Sequence, residues 1–497
     1  MAVICAGIRP FSGHERDRFE RSGAWESRAL AVGIIHRKGI DRQIPVRGLP
    51  LEADDMAYTF RGGTHVRENK ITRKSPVEKM TAPPVVYIPM SQNIGAMCTP
   101  LVAVGDRVLK GQKIGDVENA LGCPVHSSVS GTVKEIRETM NPTGQKNKVV
   151  VIENDFADEV SAEVVPFAKT IQETSTEEIV DWIRKSGISG MGGASFPTYA
   201  KISSAIGKVD TMIINCAECE PYITANHRLL LEDPKSVLNG AKIIMKALKL
   251  RTATIAVEDN KFDAVHEIDA AVGRSKLFKV AIMKTKYPQG DERQLIFAIT
   301  GKEIPQGKLP ADVGCVVFNA ETCAAVYRAF STGMPLIERI VTVSGDCLKD
   351  PKNLLVLIGT PYSDLVEFCG GFKREPEKII NGGPMMGMAQ WDINAPVTRG
   401  TSAVLFLSGR ENRKYNQPEN CIKCGRCVRA CPMHLMPNYI VAYTKLLDFT
   451  EAENYGAMSC VECGSCSYNC PAHIPIVQYI KVAKNTIRAS KAAAPKN

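Results

Sequence analysis

Two cysteine-rich runs near the C-terminus constrain this chain more than any other part of its sequence. Each run follows the pattern Cys-x2-Cys-x2-Cys-x3-Cys-Pro. The runs comprise Cys421, Cys424, Cys427, Cys431 and Pro432, and then Cys460, Cys463, Cys466, Cys470 and Pro471. Thiolates this dense on a short loop predict a bound metal cluster, because three of them can reach three corners of one cubane.

The same spacing is typical of bacterial ferredoxins with two [4Fe–4S] clusters, in which the fourth cysteine of a run usually ligates the other cluster. Zinc commonly takes two separated ligand pairs, and a disulfide framework does not need such dense spacing, so both fit less well. We therefore predict two crossed ligand sets: Cys421, Cys424, Cys427 and Cys470 for one cluster, and Cys431, Cys460, Cys463 and Cys466 for the other. Such a chain transfers single electrons.

Length and composition exclude several classes of protein. A chain of 497 residues should contain three or four domains of roughly 100–200 residues each. No run approaches the ~20 apolar residues of a membrane helix, so work at a membrane would need a docking partner. The net charge of +9 is modest and has no polybasic, aromatic-interleaved cluster, which argues against nucleic-acid binding. Beyond the two runs, the remaining cysteines show no pairing pattern, which fits a reducing cytoplasm.

The stretch before residue 56 differs from the rest of the chain. It is rich in arginine, lacks sustained periodicity and has no signal-peptide layout of basic start, apolar middle and cleavage site. We interpret residues 1–55 as a non-native or disordered extension, with Met56 as the hypothetical true start.

Short apolar segments alternate with turns between Val85 and Asn154, which predicts β-strands. The expected strand segments are 101–104, 108, 114, 129–136 and 149–152. The phrase 105–115 followed by 129–133 resembles the barrel-sandwich module of biotinyl and lipoyl carrier domains. Because the region 123–127 has no lysine at the tip, we interpret the module as structural or docking rather than as a swinging arm.

Residues 165–330 alternate strand and helix patterns, which predicts an α/β domain. Strands are expected at 211–214, 252–257 and 279–283, and helices at 177–185, 235–248 and 291–299. A loop with Gly190, Gly192 and Gly193 precedes a helix, so its backbone N–H groups can close around a phosphate, which also suits Lys201. The strict dinucleotide pattern is absent, and this loop alone is also compatible with a plain turn.

Polar side chains gather in further loops of the same domain. Asn215, Glu218 and Glu220 follow the strand 211–214, at the carboxyl edge where α/β sheets bind ligands. Other polar residues of this kind are Asp291, Glu292, Asn319 and Thr322. Each loop alone fits an ordinary cap, but four in one domain favour a site for the hydroxyls and ring edge of a flavin.

The loop 187–201 resembles the Gly-Gly-Ala-Gly-Phe-Pro-Thr loop of the flavin- and NADH-binding subunit of respiratory complex I. Segments 215–222, 287–293 and 319–322 resemble that subunit's further flavin and nicotinamide contacts, in the same order. The resemblance implies a Rossmann-like domain for FMN and NAD(H). Its implied cofactor contacts are Gly190, Gly192, Gly193, Phe196, Lys201, Asn215, Glu218, Glu220, Asp291, Glu292, Lys308, Asn319 and Thr322.

The resemblance also assigns roles. Lys201 is expected near the FMN phosphate, and Phe196 is expected to stack beside the nicotinamide or flavin. Glu218 and Glu220 are expected to hold ribityl or ribose hydroxyls, and Lys308 the nicotinamide ribose or phosphate. Asn215, Asn319 and Thr322 should surround the flavin. The chain departs from the family at Ser195, usually glycine, and at Ala320, usually asparagine.

Residues 334–408 form a smaller predicted unit that resembles the β-grasp domain following the flavin domain of complex I. Strands are expected at 341–344, 354–358 and 403–407, and a helix at 363–369. The pair Met385–Met386 is interpreted as packing rather than as a cofactor contact.

The phrases 60–65, 70–72 and 88–95 resemble the C subunit of the Rnf ion-translocating electron transport complex, a likeness that runs from Met56 to about Lys484. It implies a multidomain α/β protein. The expected segments are the extension 1–55, a barrel-sandwich hybrid domain 56–160, a Rossmann-like FMN/NADH domain 161–332, an SLBB-like β-grasp domain 333–410, a C-terminal α-helical ferredoxin-type domain 411–485 with two [4Fe–4S] clusters, and a tail 486–497.

The same resemblance implies a peripheral subunit on the cytoplasmic side of the cell membrane. It would pass electrons between NAD(H), FMN and two clusters within an ion-transporting ferredoxin:NAD+ oxidoreductase, with no catalytic side chain because the cofactors carry the chemistry. The implied partners are membrane subunits, an iron–sulfur subunit and, indirectly, ferredoxin.

Three alternatives remain from the sequence. One is a cobalamin reductase of bacterial microcompartments, which shares the flavin and ferredoxin modules. Another is an electron-wiring subunit without nicotinamide chemistry. The third is a structural scaffold with zinc in the cysteine runs.

Overall fold

The computed structural model describes residues 57–140, 145–409 and 417–493. The expected extension at residues 1–55 and the hypothesis on Met56 lie outside these ranges. No helix within them is long and apolar enough to span a bilayer.

The barrel-sandwich unit begins at Val85, after a first strand β1 that belongs to another sheet. One of its sheets has the order β2-β8-β7-β4 and the other β3-β5-β6. The strands are β1 (Val77–Lys79), β2 (Val85–Pro89), β3 (Thr99–Pro100), β4 (Arg107–Val108), β5 (Lys113–Asp116), β6 (Val125–His126), β7 (Gly131–Met140) and β8 (Lys146–Asn154). Valine and isoleucine side chains from both sheets, such as Ile88, Ile114 and Ile152, form the core between them.

The predicted strand at 101–104 is wrong. Thr99 and Pro100 pair with β5, the N–H of Leu101 donates to the carbonyl of Ile114, and the chain then leaves the sheet. Leu101 and Val104 are 55% and 62% exposed, so their apolar character does not reflect burial.

The α/β unit is built on parallel strands in the order β11-β10-β9-β12. Its strands are β9 (Thr211–Asn215), β10 (Ala253–Glu258), β11 (Phe278–Met283) and β12 (Cys315–Asn319). Its helices are α1 (Thr176–Lys185), α2 (Thr198–Ala205), α3 (Ala225–Glu232), α4 (Pro234–Leu248), α5 (Phe262–Val272), α6 (Glu292–Thr300) and α7 (Ala320–Thr332). The predicted strands and helices of this domain are confirmed to within about two residues, because burial of continuous apolar strands and helix faces gives a strong pattern.

The β-grasp unit carries a mixed sheet in the order β1-β14-β13-β17-β15-β16. Its other elements are β13 (Glu338–Ser344), β14 (Lys352–Leu357), α8 (Tyr362–Phe368), β15 (Lys378–Asn381), β16 (Met388–Gln390) and β17 (Ala403–Leu407). The strand β1 pairs in parallel with β14, so that Val77 lies opposite Asn353 although the two residues are far apart in the sequence. The first described segment is therefore anchored in this later unit.

The ferredoxin-type unit is helical. Its helices are α9 (Arg426–Arg429), α10 (Pro437–Lys445), α11 (Phe449–Asn454), α12 (Ser465–Tyr468) and α13 (Ile476–Ala493). Each short helix α9 and α12 starts after a glycine with positive φ, Gly425 at +70° and Gly464 at +83°. The helix α13 passes through the expected boundary at 485, and Ile487 lies in the same core.

Candidate functional site

Four loops of the α/β unit meet at the carboxyl edge of its sheet. The ends of β9 and β12 lie side by side, with Asn215 in register with Asn319. The Asn215 amide donates to the carbonyl of Gly290 at 2.9 Å, which brings the segment 287–293 to the same edge. The predicted polar segments are thus neighbours, and we refer to this edge as the candidate flavin site.

The glycine loop closes over this edge. The Met191 N–H donates to the Thr322 hydroxyl at 3.0 Å. A Cβ on Gly192 would overlap the side chain of Asn319, which caps α7. Gly192 and Gly193 are exposed, and Phe196 close to them in the same loop is 37% exposed.

Ser195 stands at a position where the resemblance implies glycine. Its φ is +53°, a left-handed conformation that costs an L-residue with a side chain about 1 kcal/mol. The side chain is nevertheless buried. The fold therefore accommodates a serine at this position.

Lys201 lies on α2 at the same edge. Its ammonium pairs with Glu292 at 2.5 Å and lies 5.6 Å from the centre of the Phe318 ring. An anion bound at this edge would compete with Glu292 for the Lys201 ammonium. The predicted phosphate contact therefore stays a prediction that the geometry permits.

The two carboxylates Glu218 and Glu220 already have partners within the protein. Glu218 accepts from the N–H of Asn226 at 2.9 Å, at the start of α3. Glu220 accepts from the N–H groups of Met385 and Met386 at 3.0 and 2.8 Å, in the β-grasp unit. Burial raises the pKa of Glu220 to about 7. Their roles toward sugar hydroxyls remain predictions.

Asp291 directly precedes α6, and Lys308 lies in the loop that follows this helix. Asp291 caps α6 by accepting from the N–H groups of Arg293 and Gln294, and burial raises the pKa of its carboxyl. Lys308 lies on an exposed loop whose carbonyl accepts from Arg293 at 3.0 Å. Of the predicted contacts, Lys308 has the weakest structural link to the sheet edge.

Sequence reasoning missed a buried ion pair beneath the glycine loop. The Arg339 guanidinium lies 2.7 Å from Glu321 and also donates to the Met191 carbonyl at 3.2 Å. Both side chains are almost fully buried. They fix the loop from below, and no local pattern could reveal this because Arg339 belongs to β13 of the next unit.

Three buried polar side chains near these loops have no hydrogen-bond partner among the described residues. They are Ser189, Thr198 and Gln289. Buried polar groups are rarely left unpaired, so such groups mark a place where a polar ligand or water is expected. Thr198, the first residue of α2, could have been found from its position at a helix start. Hydroxyl and amide groups of this kind can bind the polar groups of a flavin, so their presence beside the candidate flavin site is compatible with the predicted cofactor.

The cysteines separate into two sets, each lining its own cavity. The outer cysteine set consists of Cys421, Cys424, Cys427 and Cys470, and the inner cysteine set of Cys431, Cys460, Cys463 and Cys466. Within the described ranges, no three metal-ligand side chains converge on a single-ion site. Four thiols around a cavity fit a cubane, which binds its cysteines at separate corners.

The two sets differ in exposure. Cys421 and Cys424 of the outer set are exposed, whereas Cys431, Cys463 and Cys466 of the inner set are 6–7% exposed. Burial raises the pKa of the Cys460 thiol to about 11.

The inner cysteine set adjoins the candidate flavin site. The Tyr287 hydroxyl donates to the carbonyl of Cys463 at 2.6 Å. The Gln294 amide approaches the Met433 sulfur at 3.4 Å. The arrangement therefore runs from the sheet edge to the inner set and then to the outer set.

Family models match consecutive parts of the chain. They describe an RnfC barrel sandwich hybrid domain at 58–157, a Nuo51 FMN-binding domain at 183–328, an SLBB domain at 340–389 and a 4Fe-4S dicluster domain at 413–471. The fold and the site thus define a flavin-binding, iron–sulfur electron-transfer protein. This confirms the expectation of FMN and two [4Fe–4S] clusters, while the individual ligands stay predictions.

Curated relatives cover most of the chain. The chain is 43% identical to the C subunit of the Na(+)-translocating ferredoxin:NAD(+) oxidoreductase complex of Acetobacterium woodii, covering 87% of this chain and 98% of the relative. It is 44% identical to the C subunit of the proton-translocating complex of Clostridium ljungdahlii, covering 88% and 95%. For the C subunit of the ion-translocating oxidoreductase complex of Rhodobacter capsulatus, the identity is 39% and the coverage 87% and 83%. The chain belongs to this family of C subunits, as its sequence predicts.

Proposed function

We propose that this chain passes electrons between NAD(H), FMN and two [4Fe–4S] clusters, as a subunit of an ion-translocating ferredoxin:NAD+ oxidoreductase complex. The observation that carries the proposal is the 2.6 Å hydrogen bond from Tyr287, in a loop of the candidate flavin site, to the carbonyl of Cys463. It joins the two kinds of redox site through one side chain. The names of the relatives support the reaction.

The chain's own residues have separate tasks in this proposal. A bound flavin supplies the exchange between two-electron hydride transfer and one-electron steps. Lys201 and the N–H groups around Gly192 and Gly193 would hold its phosphate. Asn215, Asn319 and Thr322 orient the surrounding loops, and the inner and outer cysteine sets hold the clusters in sequence.

The partners and location complete the proposal. We place the subunit at the cytoplasmic face of the cell membrane, bound to membrane subunits and to an iron–sulfur subunit that is in contact with ferredoxin. The exposed outer cysteine set is the side that a redox partner can approach, because its Cys421 and Cys424 are exposed.

The test uses the full chain loaded with FMN, iron and sulfide. NADH should reduce an artificial electron acceptor, and the reduction should require bound FMN. A loaded chain without NADH-dependent reduction would favour an electron-wiring subunit. Zinc without iron and sulfide in the native protein would favour a scaffold.

A further inference from the structure

Residues 57–72, called here the bridging segment, contact the α/β unit, the ferredoxin-type unit and the β-grasp unit. At its start the N–H of Tyr58 donates to the carbonyl of Ile282 at 2.9 Å, and the N–H of Lys284 donates to the carbonyl of Tyr58 at 2.8 Å. Further on, Thr64 and Tyr287 exchange backbone hydrogen bonds of 2.8 and 2.9 Å. The bridging segment thus runs along the outer strand β11 and reaches, at Tyr287, the segment 287–293 that contributes to the candidate flavin site.

Between these two attachments the segment contacts the inner cysteine set. The N–H of Gly63 donates to the carbonyl of Ala430 at 3.0 Å. Gly62 has a φ of +77°, and a Cβ there would lie 2.5 Å from the carbonyl oxygen of Cys431. Only a residue without a side chain allows this approach, so the glycine pair sets how closely the two units meet.

The end of the segment holds the loop that carries Glu218 and Glu220. The Lys70 ammonium donates to the backbone carbonyls of Glu218, Glu220 and Ile223 at 2.7, 2.9 and 2.6 Å. The carbonyl of Thr72 then accepts from the amide of Asn353 in the β-grasp unit at 2.9 Å. One continuous stretch therefore ties together the α/β sheet, the inner cysteine set and the β-grasp unit.

We propose that the bridging segment is a positioning element that sets the inner cysteine set against the candidate flavin site, with Gly62 and Gly63 as its contact point. The inference rests on the proposed electron transfer. Its contacts with β11, with Tyr287 and with Ala430 are main-chain hydrogen bonds, so they fix the distance between the α/β unit and the ferredoxin-type unit with little rotational freedom. Electron transfer between the two sites depends on that distance.

The test compares two glycine variants in the full chain loaded with FMN and clusters. Gly62→Ala places a methyl group against Cys431, whereas Gly207→Ala has the same left-handed strain, with φ of +73°, and nothing within 4 Å. In Gly62→Ala, NADH should reduce FMN at the unmodified rate, but cluster bleaching in stopped flow should slow by up to about a hundredfold. The EPR spectrum of the inner-set cluster should also shift in dithionite-reduced protein. Gly207→Ala should change neither.

A second variant avoids the steric clash. The Lys286 ammonium donates to the carbonyl of Phe60 at 3.0 Å and lies 4.7 Å from the centre of its ring. Lys286→Met should loosen the bridging segment and change the same two measurements in the same direction by less. The inference would be overturned if Gly62→Ala showed the bleaching rate and the EPR spectrum of the unmodified chain. If Gly62→Ala fails to load clusters, the same result in Lys286→Met would overturn it. Because the dithionite spectrum does not need NADH, failure of the proposed function is seen separately, as absent FMN reduction in the unmodified chain.

Discussion

At the scale of single residues, Glu220 joins the candidate flavin site to the β-grasp unit. Its carboxylate accepts two N–H groups, which favour the charged form, yet burial outweighs them and raises its pKa from 4.5 to about 7. Between those pH values the folded state keeps a proton that the unfolded state has lost. Stability from this group is therefore complete below pH 4.5 and is lost as the pH rises through about 7.

We expect Glu220→Gln to reduce the change in the free energy of unfolding between pH 5 and pH 8 by about 2 kcal/mol, because each unit of pKa shift corresponds to about 1.4 kcal/mol. Denaturant unfolding at several pH values between 5 and 8 measures it. The exposed Glu163→Gln is the matched control and should leave the slope unchanged. An unchanged slope in Glu220→Gln would show that the carboxyl titrates normally.

The position of Glu220 after β9 could be predicted from sequence, but its partners could not. The acceptor carboxylate and the Met386 donor are 166 residues apart in the chain. Similarly, the Arg339 guanidinium donates a hydrogen bond to the carbonyl of Met191, which lies 148 residues away in the sequence. Local patterns report which residues face a sheet edge, whereas contacts between units depend on how the units dock.

At the scale of elements, the glycine loop is fixed by its contact with the start of α7. A methyl group on Gly192 would displace the Asn319 side chain, which caps that helix. We expect Gly192→Ala to lower the free energy of unfolding by about 1 kcal/mol, the usual worth of an N-cap. Gly193→Ala meets nothing within 4 Å and should leave the stability unchanged.

Titration with FMN measures the cofactor affinity of the same two glycine variants. Both should bind FMN more weakly if the exposed backbone of the loop surrounds the phosphate. Equal stability of the two variants would mean that the loop shifts freely and that Asn319 does not depend on it.

The crossing of the two cysteine loops is a second prediction at this scale. Cys470 lines the cavity of the outer set, although it belongs to the second run. Cys470→Ala should therefore remove the same cluster as Cys424→Ala, and the remaining EPR spectrum of the two variants should match. The reciprocal variant Cys431→Ala should match Cys463→Ala. A Cys470→Ala spectrum that matches Cys463→Ala would contradict crossed ligation.

Helices and strands could be predicted where burial of one face gives the sequence a regular pattern of apolar residues. The strand β17 and the helices α1 and α4 follow apolar patterns that the sequence shows directly. The strand β1 was not expected, because Val77–Lys79 is short and gains its partner only from β14 of a distant unit. The pairing of such a short strand is decided by docking rather than by its own residues.

At the scale of the whole molecule, the order of the redox sites follows from how the units dock. The sequence predicts a flavin domain and two clusters, but not which cluster lies nearer. The contact of Tyr287 with Cys463 and the position of Gly62 against Cys431 place the inner cysteine set beside the sheet edge. The outer set is the more exposed of the two.

This order predicts unequal sensitivity of the two clusters to solvent reagents. Cys421 and Cys424 are exposed and Ile422 is 67% exposed, whereas Cys463 and Cys466 are 7% and 6% exposed. Oxidative loss of a cluster follows access of the reagent to its sulfurs. Treatment with ferricyanide and a chelator should therefore remove the outer-set cluster first.

Iron content and EPR spectra taken during the treatment measure the order of loss. At half of the initial iron, the spectrum should match that of Cys424→Ala, in which only the inner-set cluster remains. Protein with an intact inner-set cluster should still pass electrons from NADH into iron, since that cluster adjoins the candidate flavin site. Loss of both clusters at the same rate, or of the inner-set cluster first, would contradict the order in which the fold arranges them.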